Sequence, residues 1–133
     1  MKIFLGEYYH VLDDRGRVTL PRKIRQELLG EEVILSQGFD TCIFGFDREQ
    51  WEKESQRHLD TNLTDEKSRQ IRRYLFAHAE QTEVDRLGRI LLPAHLKEYA
   101  SLQKEVVVVG AGDHFEIWDS HLWHQYLTSS NAS

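Results

Sequence analysis

Two short stretches carry the side chains best suited to chemistry. Asp13-Asp14-Arg15-Gly16-Arg17 and Asp85-Arg86-Leu87-Gly88-Arg89 each set a carboxylate four residues before a guanidinium, with glycine just ahead of the arginine. The spacing fits a tight turn. Glycine takes the positive φ that such turns demand, and aspartate accepts hydrogen bonds from loop amides. Two roles are open for Arg17 and Arg89. Each can pair with its own aspartate and brace the turn. Each can also offer a planar fork to a phosphate, or to the O6/N7 edge of guanine.

The surroundings of the two stretches are basic. Arg15, Arg17, Arg22, Lys23 and Arg25 fall within one acid-free span, and Arg86, Arg89, His95 and Lys97 within another. Acids gather elsewhere, at Glu27, Glu31, Glu32, Glu49, Glu52 and Glu54. The chain as a whole is acidic, with 22 Asp and Glu against 17 Lys and Arg, a net charge of −5. That balance argues against a general polyanion binder, so a nucleic-acid role must rest on the local clusters. A phosphate backbone rewards such clustering through counterion release. A solvated helix face would carry a similar basic run.

Other chemistry finds little support. His121 and His124 sit three apart on a helix pattern, but spacing places no third ligand. The remaining histidines (His10, His58, His78, His95 and His114) read as surface or satisfied interior groups. Ser36, Ser55 and Ser68 lack a Gly-x-Ser-x-Gly context, and Gly110-Ala111-Gly112 joins two strand patterns rather than opening a helix. No catalytic constellation, metal site or cofactor site is expected. The single cysteine, Cys42, excludes an internal disulfide and a cysteine-built metal site, and reads as a small buried hydrophobe. No apolar run approaches a membrane span, the longest being Val106–Val109, and the opening Met1–Glu7 turns polar too soon for a signal peptide.

The elements that must position these side chains repeat as well. A shift of 72 residues aligns 12–21 with 84–93, with identical Asp, Gly, Arg, Leu and Pro. Glu32-Val33-Ile34-Leu35 answers Glu105-Val106-Val107-Val108 one residue out of register. Phe46-Asp47 and Trp51 answer Trp118-Asp119 and Trp123 in register. Each copy reads as strand, turn, strand, proline-opened helix, and then two more strands. The alternation at 17–20 puts Val18 and Leu20 on one face and Arg17 and Thr19 on the other. Ile24, Leu28 and Leu29 share a helix face that Gly30 ends. Asp47 and Asp119 cap the closing helices.

The expected division is a first repeat over 5–51, a helical insert over 52–76, a second repeat over 77–123 and a flexible tail over 124–133. The stretch Thr64 to Ala79 reads as helical, with Ile71, Tyr74, Leu75 and His78 on one face. A single ββαββ unit of this size is too small to bury an adequate core, so the two must share one, and their strands are expected to close a small barrel. Of Trp51, Trp118 and Trp123, two are expected in the core and one at a subunit contact.

Val-Asp-x-x-Gly-Arg-Ile-x-Leu-Pro at 84–93, doubled at 12–21, resembles the AbrB-type swapped-hairpin DNA-binding module (SpoVT/AbrB-like domain). Two modules in one chain, the opening Gly6-Glu7-Tyr8 and the paired Asp…Trp helix starts resemble the MraZ family of bacterial transcriptional regulators. The resemblance implies a mixed α+β, β-rich fold: a double-split β-barrel of the AbrB/MazE/MraZ type from two pseudo-symmetric repeats plus helices. It implies a ring-shaped homo-oligomer, such as an octamer, in the cytoplasm and associated with the nucleoid. It further implies binding of duplex DNA at short direct repeats upstream of the chain's own operon in the division and cell-wall gene cluster. The contacts it implies carry over to Asp13, Arg15 and Arg17 in copy one and to Asp85, Arg86 and Arg89 in copy two, with Asp14 in the same loop. Leu87 stands where copy one has Arg15, so the second loop is expected to bind less well. An AbrB-like fold serving as a protein-binding, antitoxin-like module is the alternative.

Overall fold

The computed structural model describes residues 3–131. The elements run β1 (Glu7–Val11), β2 (Arg17–Thr19), α1 (Arg22–Arg25), β3 (Glu32–Gln37), β4 (Ile43–Phe46), α2 (Arg48–Leu59), α3 (Glu66–Phe76), β5 (Glu80–Glu83), β6 (Arg89–Leu91), α4 (Ala94–Tyr99), β7 (Glu105–Gly110), β8 (Phe115–Asp119) and α5 (Ser120–Asn131). The fold is mixed α+β and rich in strands. Asp47 caps α2 by accepting from the Gln50 amide at 2.8 Å, and Asp119 Oδ2 accepts from the Leu122 amide at 3.3 Å.

The strands interleave the two copies. The six-stranded sheet has the order β1-β7-β8-β4-β3-β5, and β2 pairs only with β6. The first strand of copy one thus pairs with copy two (Glu7 opposite Val109), and the first strand of copy two pairs with copy one (Glu32 opposite Glu83). Val18 lies opposite Ile90, and Phe44 opposite Glu116. Each of these two pairs joins residues 72 apart, so a pseudo-twofold axis passes through both. Val18, Leu20, Ile90 and Leu92 meet Ile24, Leu35, Ile43, Leu96, Val108, Phe115 and Ile117 in one shared core. Neither copy holds that core alone.

The ladders do not close into the expected barrel. Edge strands β1 and β5 are not bonded to each other, and β2 and β6 form a separate pair. These two strands are only three residues long, and each ends before a proline that has no N–H to extend a ladder. Two further expectations change. The helix after Pro21 is only Arg22–Arg25, continued by i→i+3 bonds from the amides of Glu27 and Leu28, and Leu29 is exposed. The flexible tail expected from 124 is instead α5 as far as Asn131, because Leu122, Trp123 and Leu127 pack against Trp118 and Val107. Trp123 also donates from Nε1 to Glu7 at 2.6 Å. Ala132 and Ser133 lie outside the described residues. Trp118 and Trp123 are buried, while Trp51 is half-buried between Phe46 and Phe76. Among the described residues no helix is long and apolar enough to cross a membrane.

The β7–β8 turn holds a histidine between two acids. Nδ1 of His114 lies 2.7 Å from Asp113 Oδ1, and Nε2 lies 2.9 Å from Glu116 Oε2. Burial opposes protonation of the ring, but the bonds to Glu116 and Asp113 and their charges outweigh it and raise the pKa above the ordinary 6.5. A raised folded-state value means that the stabilisation is complete below the unfolded pKa and is lost as pH rises through the folded one. The thermal midpoint is therefore expected to fall as pH rises from 6.5 upward, and His114→Phe is expected to flatten that limb. Equal slopes in both proteins would refute the assignment.

Candidate nucleic-acid interface

The two turns are built alike. In the first, Asp13 Oδ1 accepts from the amides of Arg15 (2.9 Å) and Arg17 (2.8 Å), and Oδ2 accepts from Arg17 Nε (2.7 Å). In the second, Asp85 Oδ1 accepts from the amides of Leu87 (2.9 Å) and Arg89 (2.8 Å), and Oδ2 accepts from Arg89 Nε (2.9 Å). The glycine amide closes each turn on the aspartate carbonyl, at 3.0 Å for Gly16 and 2.9 Å for Gly88. Both glycines have positive φ, 78° and 81°, which a side chain would strain. The backbone amide of the arginine is the main influence holding each aspartate carboxyl below its ordinary pKa; Arg17 and Arg89 add their side-chain bonds and charge. Both carboxylates stay ionised well into acid.

Of the two roles left open for the arginines, bracing takes hydrogen bonds only from Nε, with Arg89 Nη1 adding a looser ion pair to Asp13. The terminal nitrogens of Arg17 and Arg89 donate no hydrogen bond among the described residues. Both side chains are 27% exposed. The β2–β6 pair sets the two turns side by side, with Arg89 Nη1 3.9 Å from Asp13 Oδ2. Leu20 donates its amide to Gly88 O at 2.8 Å, and Leu92 donates to Gly16 O at 3.0 Å, so each strand is tied to the opposite turn. Asp14, Arg15 and Arg86 are exposed on the same turns. The six residues singled out from the sequence thus come together on one composite surface.

Three cations of α2 are paired with carboxylates, whereas Arg69 and Arg72 bond backbone carbonyls and Lys67, Arg73 and Lys104 have no carboxylate within 4 Å among the described residues. Arg48 bridges to Glu32 at 2.7 Å, Lys53 to Glu49 at 3.7 Å, and Arg57 pairs with Glu54. Arg15, Arg22, Lys23, Arg25, Arg86 and Lys97 likewise have no carboxylate within 4 Å among the described residues. The turns themselves are not equally charged. Asp14 offsets Arg15 in the first, whereas Arg86 occupies the equivalent place in the second. Counting charge alone, the second turn is the more basic, opposite to what Leu87 suggested.

Two of these cations have positions that spacing did not disclose. A Cβ on Gly88 would overlap the guanidinium of Arg25, and a Cβ on Gly16 would overlap the ammonium of Lys97. Arg25 and Lys97 are themselves 72 residues apart, the same shift that aligns 12–21 with 84–93; the exchange between copies is visible only in three dimensions. An open groove of about 740 Å³ lies beside the first turn, lined by Asp13, Asp14, Gly16, Lys97, Glu98 and Lys104 among others.

No group of three His, Cys, Asp or Glu side chains could hold a metal among the described residues. His124 stacks on Tyr9 with centroids 5.9 Å apart, and His121 lies against Gln125. Cys42 is buried, and its thiol is pushed up chiefly by desolvation, so it is not a nucleophile.

The family model for the MraZ protein, described as antitoxin-like, matches residues 3–74 and again 75–133. The chain is 43% identical to the transcriptional regulator MraZ of Caldicellulosiruptor saccharolyticus and 42% identical to that of Carboxydothermus hydrogenoformans. Each alignment covers 98% of this chain and 91% of the relative. The protein of the same name from Lactiplantibacillus plantarum is 40% identical over 98% of this chain and 92% of its own length.

Proposed function

The chain belongs to the MraZ family, a family of transcriptional regulators rather than enzymes, and from that premise we propose that it regulates transcription by gripping duplex DNA with its two Asp-x-x-x-Arg turns. The observation that carries this reading is the pair of adjacent turns, whose arginines are locked by Nε while their terminal nitrogens stay free to bond. A fork held in one orientation loses little side-chain entropy on meeting a phosphate or a guanine edge. Asp13, Arg15 and Arg17 act in the first turn, and Asp85, Arg86 and Arg89 in the second. The DNA is a set of direct repeats upstream of the chain's own operon in the division and cell-wall cluster.

The same proposal covers the finer architecture. The repeats span 5–51 and 77–123 around an insert at 52–76, and the β2–β6 pair over the six-stranded sheet is an opened double-split barrel. Copies of the chain form a ring in the cytoplasm, at the nucleoid. Exposed apolar side chains at Phe39, Leu63 and Ile71 are ones a neighbouring subunit would cover. A ring sets several basic turn pairs at repeat spacing and raises affinity about 10²–10⁴-fold by effective concentration. The acidic remainder then suppresses indiscriminate adhesion to DNA.

The test is a salt-titrated gel shift on the upstream duplex, with oligomer mass measured by light scattering. Affinity is expected to fall with a slope of about −0.9 in log–log form for each phosphate contacted. The antitoxin-like description favours a second reading, docking of another protein. Binding to DNA that is absent, or flat with salt, would turn the case to that reading.

A further inference from the structure

We propose that Arg25 and Lys97 are further phosphate-contacting residues, each completing the turn of the opposite repeat. This rests on reading the turns as the DNA-binding surface. Arg25 follows the first turn in sequence, yet its guanidinium lies where Gly88 of the second turn would carry a side chain. Lys97 follows the second turn, yet its ammonium occupies the same place over Gly16 of the first. The crossing is made by β2 and β6, whose ends donate to the carbonyls of those same two glycines.

The glycines therefore do two jobs. Positive φ shapes the turn, and the missing Cβ leaves room for a foreign cation against its backbone. Neither cation is held there by an ion pair or a hydrogen bond among the described residues. Among the described residues, no carboxylate lies within 4 Å of Arg25 or Lys97, and neither side chain makes a hydrogen bond. Other cations seated on backbone at chain reversals do bond it: Arg69 donates to Leu63 O and Thr64 O, and Arg72 to Thr61 O. Arg25 and Lys97 sit on their turns without that return, with all their donors free. A phosphate reaching Arg89 from outside the second turn would also meet Arg25, and one reaching Arg17 would meet Lys97.

The two sites are not equal. Arg25 is exposed and offers a planar fork, whereas Lys97 is half-buried as a point charge in a groove that also carries Asp14 and Glu98. Arg25 should contribute more. One structural consequence is that neither repeat alone presents a complete grip.

The test uses the full chain with Arg25→Gln, Lys97→Gln and both, which remove charge and retain most of the packing. Binding is measured across a NaCl series on a fluorescent duplex of the upstream DNA and on an unrelated duplex of equal length. Each substitution is expected to weaken binding to both duplexes roughly tenfold, Arg25→Gln more than Lys97→Gln, and to reduce the log–log salt slope by about 0.9 for each phosphate that is no longer neutralised. Arg25→Lys is expected to restore the slope. A lowered thermal midpoint with an unchanged slope would make the two residues structural braces and overturn the inference. It is equally overturned if Arg17→Ala loses binding while both glutamine variants match the parent, and the turn assignment then stands. If the parent itself shows no salt-dependent binding to either duplex, both readings fall.

Discussion

Exchanging Arg17 and Arg89 together for alanine is expected to cut affinity for the upstream duplex by at least 100-fold while leaving fold and assembly intact. A well-placed arginine contact to a base or phosphate contributes about 1–3 kcal/mol, roughly 5–150-fold, and both turns lose theirs. The loss has a second part. Each aspartate now accepts from Nε of its arginine, so truncation leaves two carboxylates facing the polyanion without that cation. The turns should survive, because Asp13 and Asp85 still accept two backbone amides each through Oδ1. A gel shift read beside a thermal melt and light scattering checks the result. Parent-like binding by the double variant would remove the arginines from the interface. Single exchanges rank the turns: on charge, Arg89→Ala should cost at least as much as Arg17→Ala, against the weaker second turn that Leu87 implied.

Truncation of Phe115 to alanine should be the most damaging single change to stability. The ring is fully buried, sits edge-on to Phe4 with centroids 5.7 Å apart, and covers Gly45 so closely that a Cβ there would overlap it. Gly45 lies opposite Phe115 where β4 and β8 join the two copies. Removing a buried phenyl ring costs about 3–5 kcal/mol, the lost transfer energy plus the cavity left behind. Against a total stability of about 5–15 kcal/mol for a domain, that is a large share. The thermal midpoint should drop by roughly 10–20 °C. A loss under about 1.5 kcal/mol in urea titration would show that the seam between the copies is not where cohesion lies.

Local chemistry explains what was legible. The turn at Asp13–Gly16, the helix starts at Asp47 and Asp119 and the apolar face of Val18 and Leu20 each follow from residues within a few positions, where sterics and one or two hydrogen bonds decide. The 72-residue echo made both turns visible at once, and with them the six residues Asp13, Arg15, Arg17, Asp85, Arg86 and Arg89. The shortness of α1 was not legible, because three apolar side chains share a helix face whether or not the backbone bonds continue, and here they tighten after Gln26.

From the sequence alone come the repeat, the turn chemistry, the local basic clusters on an acidic chain and the resemblance that names the family. Tertiary structure alone decided that β1 pairs with β7 and β5 with β3, that the ladders stay open, that α5 holds the chain to Asn131, and that Arg25 and Lys97 change places over the glycines. The reason is physical. A strand's alternating pattern states which face is buried but not which of two near-identical partners it lies beside, and copies 72 residues apart offer the same edges. Only the packing of a core that neither copy can close by itself breaks that tie.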